Sequence, residues 1–227
     1  MTNPEKQAWS KAGYYSACVL VIISLGAALG HYILPAELHV RLFAPLYGEE
    51  YTSQQFQELS KTPINEALHR LGGSLYMILG LLQFSPRFRK KNWLWHRRLG
   101  RIFLLVSFPV GISGVAWGIM VPFGGFPEAV PTLFFCLIFL YAAGKAYLHA
   151  RQRNIQAHKE WIFRCFHLGL GIASIRIVFL VMSNLLTIPD RELLPITFWL
   201  TWSTHLIIAE WWIQSTRPKV RSKAMPA

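Results

Sequence analysis

Cysteine is nearly missing from this chain: Cys18, Cys136 and Cys165 are the 3 present in 227 residues. All three fall within apolar runs and none shows metal-ligand spacing, which sets aside a cysteine metal centre and a structural disulfide. A Walker loop, a dinucleotide fingerprint, an HExxH pair and a Ser-His-Asp arrangement are also lacking, and soluble-cofactor enzymology goes with them. No lipidation motif occurs. Acids are scarce, with 11 Asp and Glu against 23 Lys and Arg, for a net charge of +12. Such an excess invites a nucleic-acid partner, but its placement along the chain argues against one.

What the chain has in quantity is apolar sequence, 53% of its residues. It is strung into runs at 13–34, 68–84, 99–121, 131–149, 161–186 and 195–214. Each has about the length that crosses a hydrocarbon core of roughly 30 Å. The expected fold is all-α: a polytopic membrane helix bundle of six transmembrane helices, with spans 2–5 as a four-helix core, in a single integral membrane domain over 1–227. Lys6 and Lys11 precede span 1, and Arg87, Arg89, Lys90, Lys91, Arg97, Arg98 and Arg101 cluster between spans 2 and 3. Arg151, Arg153 and Lys159 separate spans 4 and 5, and the tail 215–227 is basic. The alternate loops hold Glu37, Glu49, Glu50, Glu58, Glu66, Glu128, Asp190 and Glu192. By the positive-inside rule both termini are cytoplasmic and the protein sits in the cell (inner) membrane. The charge is a topology signal, its partner is the lipid bilayer, and the tail is expected to be disordered near anionic headgroups.

Span 1 also has signal-peptide features, with Lys6 and Lys11 leading and "AALG" as a small-residue site, but its length favours a retained anchor. The outer loop 35–66 contains "TSQQFQELSKTP", a short polar helix ended by Pro63, and "VPFGGFPEAVP" reads as a Pro/Gly turn on the same side. "HRRLGR" and "HKEWIFR" open spans 3 and 5 alike, a hint of two hairpins repeated in parallel.

Three blocks carry a resemblance: "HRLGGSLYMILGLLQFSPRFR", "HRRLGRIFLLVSFPVGISG" and "AHKEWIFRCFHLGLGIASIRI". In order, and over roughly residues 65–190, they resemble a bacterial family of predicted membrane proteins, domain-of-unknown-function family 2306. The resemblance implies a multi-helix membrane domain and carries no established activity. Ile162-Phe163 stands where the family pattern has Met-Ile, and His167 lies outside that pattern.

Ionisable groups inside the runs carry the functional expectations, since each costs roughly 3 kcal/mol or more at membrane depth without a partner. Counted from Trp161 at about 1.5 Å per residue, Arg164 lies about 5 Å in, His167 about 9 Å and Arg176 about 22 Å. Lys145, Arg164, His167 and Glu210 share one layer, and Glu210 is expected to form an intramembrane ion pair with Arg164 or Lys145. Helical angles place Arg164, His167, Gly171 and Ser174 on one face of span 5, and His158, Gly169, Ala173 and Arg176 on the opposite one. The remaining positive charge points to an anionic ligand or cofactor.

The histidines form two tiers, His31 and His69 toward the outside and His96, His149, His158 and His167 toward the inside. Bis-histidine haem b needs two neutral imidazoles on different helices, with cations for the propionates. His96 and His158 are the candidate iron ligands; Arg101 and Arg164 follow each of them. The cofactor-binding set is thus His69, His96, His158, His167, Arg101, Arg164 and Arg176. No residue is assigned a catalytic role. The first functional reading is a small membrane redox or cofactor-binding protein. The second is a transporter or binder of a small anionic or lipid-like ligand, and the third an assembly factor without catalysis.

Overall fold

The computed structural model describes residues 3–217, and among these every regular element is a helix. They run α1 (Asn3–Ile33), α2 (Ala36–Tyr47), α3 (Glu49–Ser60), α4 (Pro63–Phe84), α5 (Pro86–Lys91), α6 (Trp93–Met120), α7 (Phe126–Arg151), α8 (Ile155–Leu185) and α9 (Asp190–Thr216). The basic segment 218–227 lies outside the described residues.

Local chemistry sets the boundaries. Pro63 opens α4, where a missing N–H costs nothing, so it starts a helix instead of ending the one before it. The Ser85 hydroxyl accepts from the Phe88 amide (3.3 Å), and the Asn154 side chain accepts from the Ala157 amide (3.2 Å), capping α5 and α8. The turn from α7 to α8 is closed by Arg153 at φ 58°.

Short turns lay α4, α6, α7, α8 and α9 antiparallel to their neighbours, and α1 packs along α4. One end of the bundle gathers the α7–α8 turn, α5 and the end of α9, and is basic. The other is capped by α2 and α3. There Arg191 of α9 reaches Glu50 of α3 (2.8 Å) and stacks on Phe123 of the α6–α7 loop (4.8 Å).

Apolar residues lie on the outside of the bundle as well as in its core. Leu105, Ile112, Ile119, Leu137, Val181 and Ile207 point outward, while Ser107, Ala142, Ala143, Ala146 and Thr197 are fully buried. Lipid is as apolar as leucine, so helices gain from close approach of small residues and from buried hydrogen bonds. A Cβ added at Gly114 of α6 would lie 3.0 Å from Cys136 Sγ of α7. One added at Gly169 of α8 would run into the Tyr76 ring at 2.5 Å. Tyr76 stacks on Phe103 (4.6 Å) and donates to the Cys165 carbonyl (2.8 Å), while Trp202 donates to that of Leu168 (3.0 Å).

The helices Ser10–Ile33, Trp93–Met120, Phe126–Arg151 and Ile155–Leu185 are long and apolar enough to cross a membrane. α4 and α9 carry polar residues that face protein. Glu66 and Ser74 of α4, and Thr197, Thr201 and His205 of α9, are all buried. The segment expected to be a loop with one short helix folds as two, α2 and α3, because the apolar residues of "AELHVRLFAPLY" sit at helical spacing.

Candidate ligand cavity and the buried charges

Between the capped end and the middle of the bundle lies a cavity of about 250 Å³. Its walls are apolar and aromatic, including Phe135, Phe139, Tyr76, Met77 and Trp202, and Gly73, Gly111, Gly114 and Gly118 also line it, the last three packed against α7. Gly73 has nothing within 4 Å of where a Cβ would stand, so the cavity reaches the α4 backbone there. A mostly apolar hollow with a few convergent polar groups is the common form of a small-molecule site, and this one lies just below the usual range of about 300–1,000 Å³.

The polar groups come from several helices. Arg176 of α8 lines the cavity and its Nη1 donates to the Ile172 carbonyl one turn back (2.6 Å). Arg70 of α4 also lines it, with Nη1 directed to the Ala27 carbonyl (3.4 Å) and the guanidinium 5.9 Å from the Trp117 ring centre. Behind Arg70, Glu66 lies 3.5 Å from its Nε and 2.5 Å from His31 Nε2. His39 of α2 joins this cluster, its ring 5.6 Å from that of His31. Burial, helped by the Arg70 charge, holds the His39 imidazole below the ordinary histidine range. Glu128 of α7, also on the wall, accepts from the Gly124 amide (2.6 Å) and so ties down the α6–α7 loop.

His69 stands against Trp117 (4.4 Å) on the cavity wall. The Ser113 hydroxyl donates to the Val110 carbonyl (2.8 Å), so at the 3.1 Å contact between Ser113 and His69 the imidazole Nδ1 is the donor. Its Nε2 is then an acceptor.

The other residues singled out in the sequence lie elsewhere. His96 stacks on Trp93 (5.5 Å), and the Gln83 amide, oriented to satisfy both ends, donates to its Nδ1 (3.0 Å). His158 Nδ1 donates to the Ala146 carbonyl (2.9 Å). Arg101 is exposed on α6. His167 packs against Phe163 (4.4 Å) and His205 (5.6 Å), and His205 Nε2 meets the Ser174 hydroxyl (2.8 Å). Arg164 forms a two-pronged ion pair with Glu210, through Nε and through Nη2 (3.0 Å). Lys145 is not part of it; its Nζ lies 5.9 Å from the Trp161 ring, which also carries Arg164 at 4.5 Å.

The structure therefore brings Arg176 and His69 to one cavity and leaves His96, His158, His167, Arg101 and Arg164 outside it. Sequence reading passed over Arg70 and His39. Arg70 was legible, since it shares a helical face with Gly73, Ser74 and Met77. His39 was not, because it sits on a helix that read as loop.

The model of a family described as predicted membrane protein, DUF2306, matches residues 66–213. That stretch runs from α4 almost to the end of α9 and includes Arg70, Glu128 and Arg176, but not α1, α2 or α3. No curated protein and no solved structure matches the chain.

Proposed function

Because the chain belongs to the DUF2306 family of predicted membrane proteins, we propose a membrane role for its cavity: binding a small amphiphile whose head group is an anion or a carbonyl. One observation carries this reading: the guanidiniums of Arg176 and Arg70, on different helices, line a single apolar hollow. A guanidinium offers a planar fork of donors and cannot shed its charge to escape burial. At Gly73, where a Cβ would have nothing within 4 Å, the hollow admits a chain or ring edge against the α4 backbone, and the aromatic walls favour an apolar body. In this reading the fold is a six-span binder in the cell membrane with cytoplasmic termini, and α4 and α9 cross with the other four. The 22 residues of α4 span about 33 Å at 1.5 Å per residue, enough for the hydrocarbon core.

The haem reading has no observation behind it. An iron ligand binding through Nε2 needs its proton on Nδ1, whereas Nδ1 of His96 accepts from Gln83. His158 has the compatible tautomer, but neither ring lines the cavity.

The test is mass spectrometry of what copurifies. Wild-type protein in mild detergent should retain an amphiphile at close to one per chain. Arg176→Lys should lower retention and Arg176→Leu should lower it about tenfold or more, the loss of a charge-assisted contact. Gly73→Leu, which fills the hollow without touching a charge, should lower it as well. Equal retention in wild type, Arg176→Leu and Gly73→Leu would overturn the proposal. The same sample should show no Soret band; a band that shifts on reduction would restore haem.

A further inference from the structure

We propose that the corner formed by α5 and the first turns of α6 is a platform for anionic lipid headgroups. Four cations, Arg87, Arg89, Lys90 and Lys91, occupy a helix of 6 residues in which nothing is buried. Arg97 and Arg98 extend the group onto α6, and all six are exposed. No acidic residue occurs between Glu66 and Glu128, so the sequence supplies no local neutralisation. None of the ion pairs among the described residues involves these cations either. Elsewhere at the same end the protein neutralises its own charge: Arg217 is held by Glu160 (2.6 Å), and Arg164 by Glu210.

Two further features select a lipid over a water-soluble polyanion. Trp93 and Trp95 are 59% and 53% exposed beside the cations, and Arg98 lies 5.6 Å from the Trp95 ring. Indoles so placed suit the headgroup level of a bilayer, where one edge is wet and the body apolar. Immediately along α6, Ile102 and Leu105 present open apolar surface, so charge and hydrocarbon surface follow each other within two turns. A phospholipid has the same order, anionic oxygens above and acyl chain below. The backbone bends at Asn92 (φ −132°, ψ 55°), which sets α5 off the α6 axis and widens the shelf.

The experiment uses the full chain in phosphatidylcholine vesicles, titrated with bromine-labelled phosphatidylglycerol or bromine-labelled phosphatidylcholine. Tryptophan quenching that disappears in Trp93→Phe/Trp95→Phe reports this corner. In wild type the anionic lipid should quench there about threefold or more as effectively as the zwitterionic one, and about 0.5 M salt should erase the difference. Neutralising Arg87, Arg89, Lys90 and Lys91 to Gln should bring the ratio to about one. Neutralising Arg151, Arg153 and Lys159 to Gln should leave it within about twofold. A wild-type ratio of one, or an equal fall in the second variant, would show only general surface attraction and overturn the proposal. Should the fourfold variant fail to insert, the salt dependence of the wild type decides alone.

Discussion

Arg164 sits where one side chain answers to three groups: the Glu210 carboxylate, the Trp161 face and, beyond that ring, Lys145. Its side chain is 15% exposed and that of Glu210 45%. Glu210→Gln strips the guanidinium of its charge partner. Breaking a fully buried pair costs about 3–5 kcal/mol, and the half-exposed carboxylate brings the expected loss below that range. The pairwise energy is isolated by a double-variant cycle on thermal melting in detergent: Arg164→Gln/Glu210→Gln should be more stable than the two single losses predict. Lys145→Gln should leave that coupling unchanged, since Lys145 faces the indole. A coupling of zero would mean the pair is solvated and contributes nothing. Sequence alone placed all three residues in one layer, because depth follows from rise per residue. Which cation took the carboxylate depended on helix rotation, which the apolar pattern of α7 and α8 does not fix.

At the scale of elements, the α2–α3 cap rests on a conformation that only glycine adopts at ease. Gly48 joins the two helices at φ 84°, and a Cβ there would overlap the Asp190 carboxylate at the start of α9. Gly48→Ala should therefore carry a strain of about 1–3 kcal/mol and push Asp190 away. The expected result is earlier proteolysis within 36–60 with the bundle's own melting little changed, while Gly26→Ala, with open space at its Cβ, loosens nothing. Unchanged proteolysis in Gly48→Ala would mean that the cap is held by its side-chain contacts, among them Arg191–Glu50 and Tyr51–Phe123, whatever the conformation at Gly48. The long helices were legible because lipid demands continuous apolar length, and runs such as 131–149 fall inside a single helix, here α7. The ends were not: α6 and α8 each begin several residues before the apolar runs, at Trp93 and Ile155, in basic sequence that the apolar pattern does not mark. α2 was hidden by Pro35 and Pro45, which read as loop punctuation although Pro35 precedes the helix and Pro45 lies in its last turn.

At the scale of the whole molecule, the connectivity constrains the number of crossings. α6 begins at the basic end beside the close of α4, as the Gln83–His96 contact fixes, and α1 meets α4 at the other end through His31 and Glu66. If α4 did not cross, the start of α6 would lie with the cap, and that contact could not form. In the same way Arg217 reaches Glu160 at the start of α8, while Arg191 reaches Glu50 in the cap, so α9 joins the two ends. The prediction is six crossings. A cysteine placed at Gly125 should react with an impermeant maleimide on intact cells, and one at Arg153 only after lysis. A cytoplasm-active reporter after Ala227 should be active. If α9 lay on the surface instead, the reporter would be silent while the two cysteines behaved as described. Reversed labelling of the cysteines would invert the whole assembly, carrying the basic corner to the outer face and the cavity to the inner half.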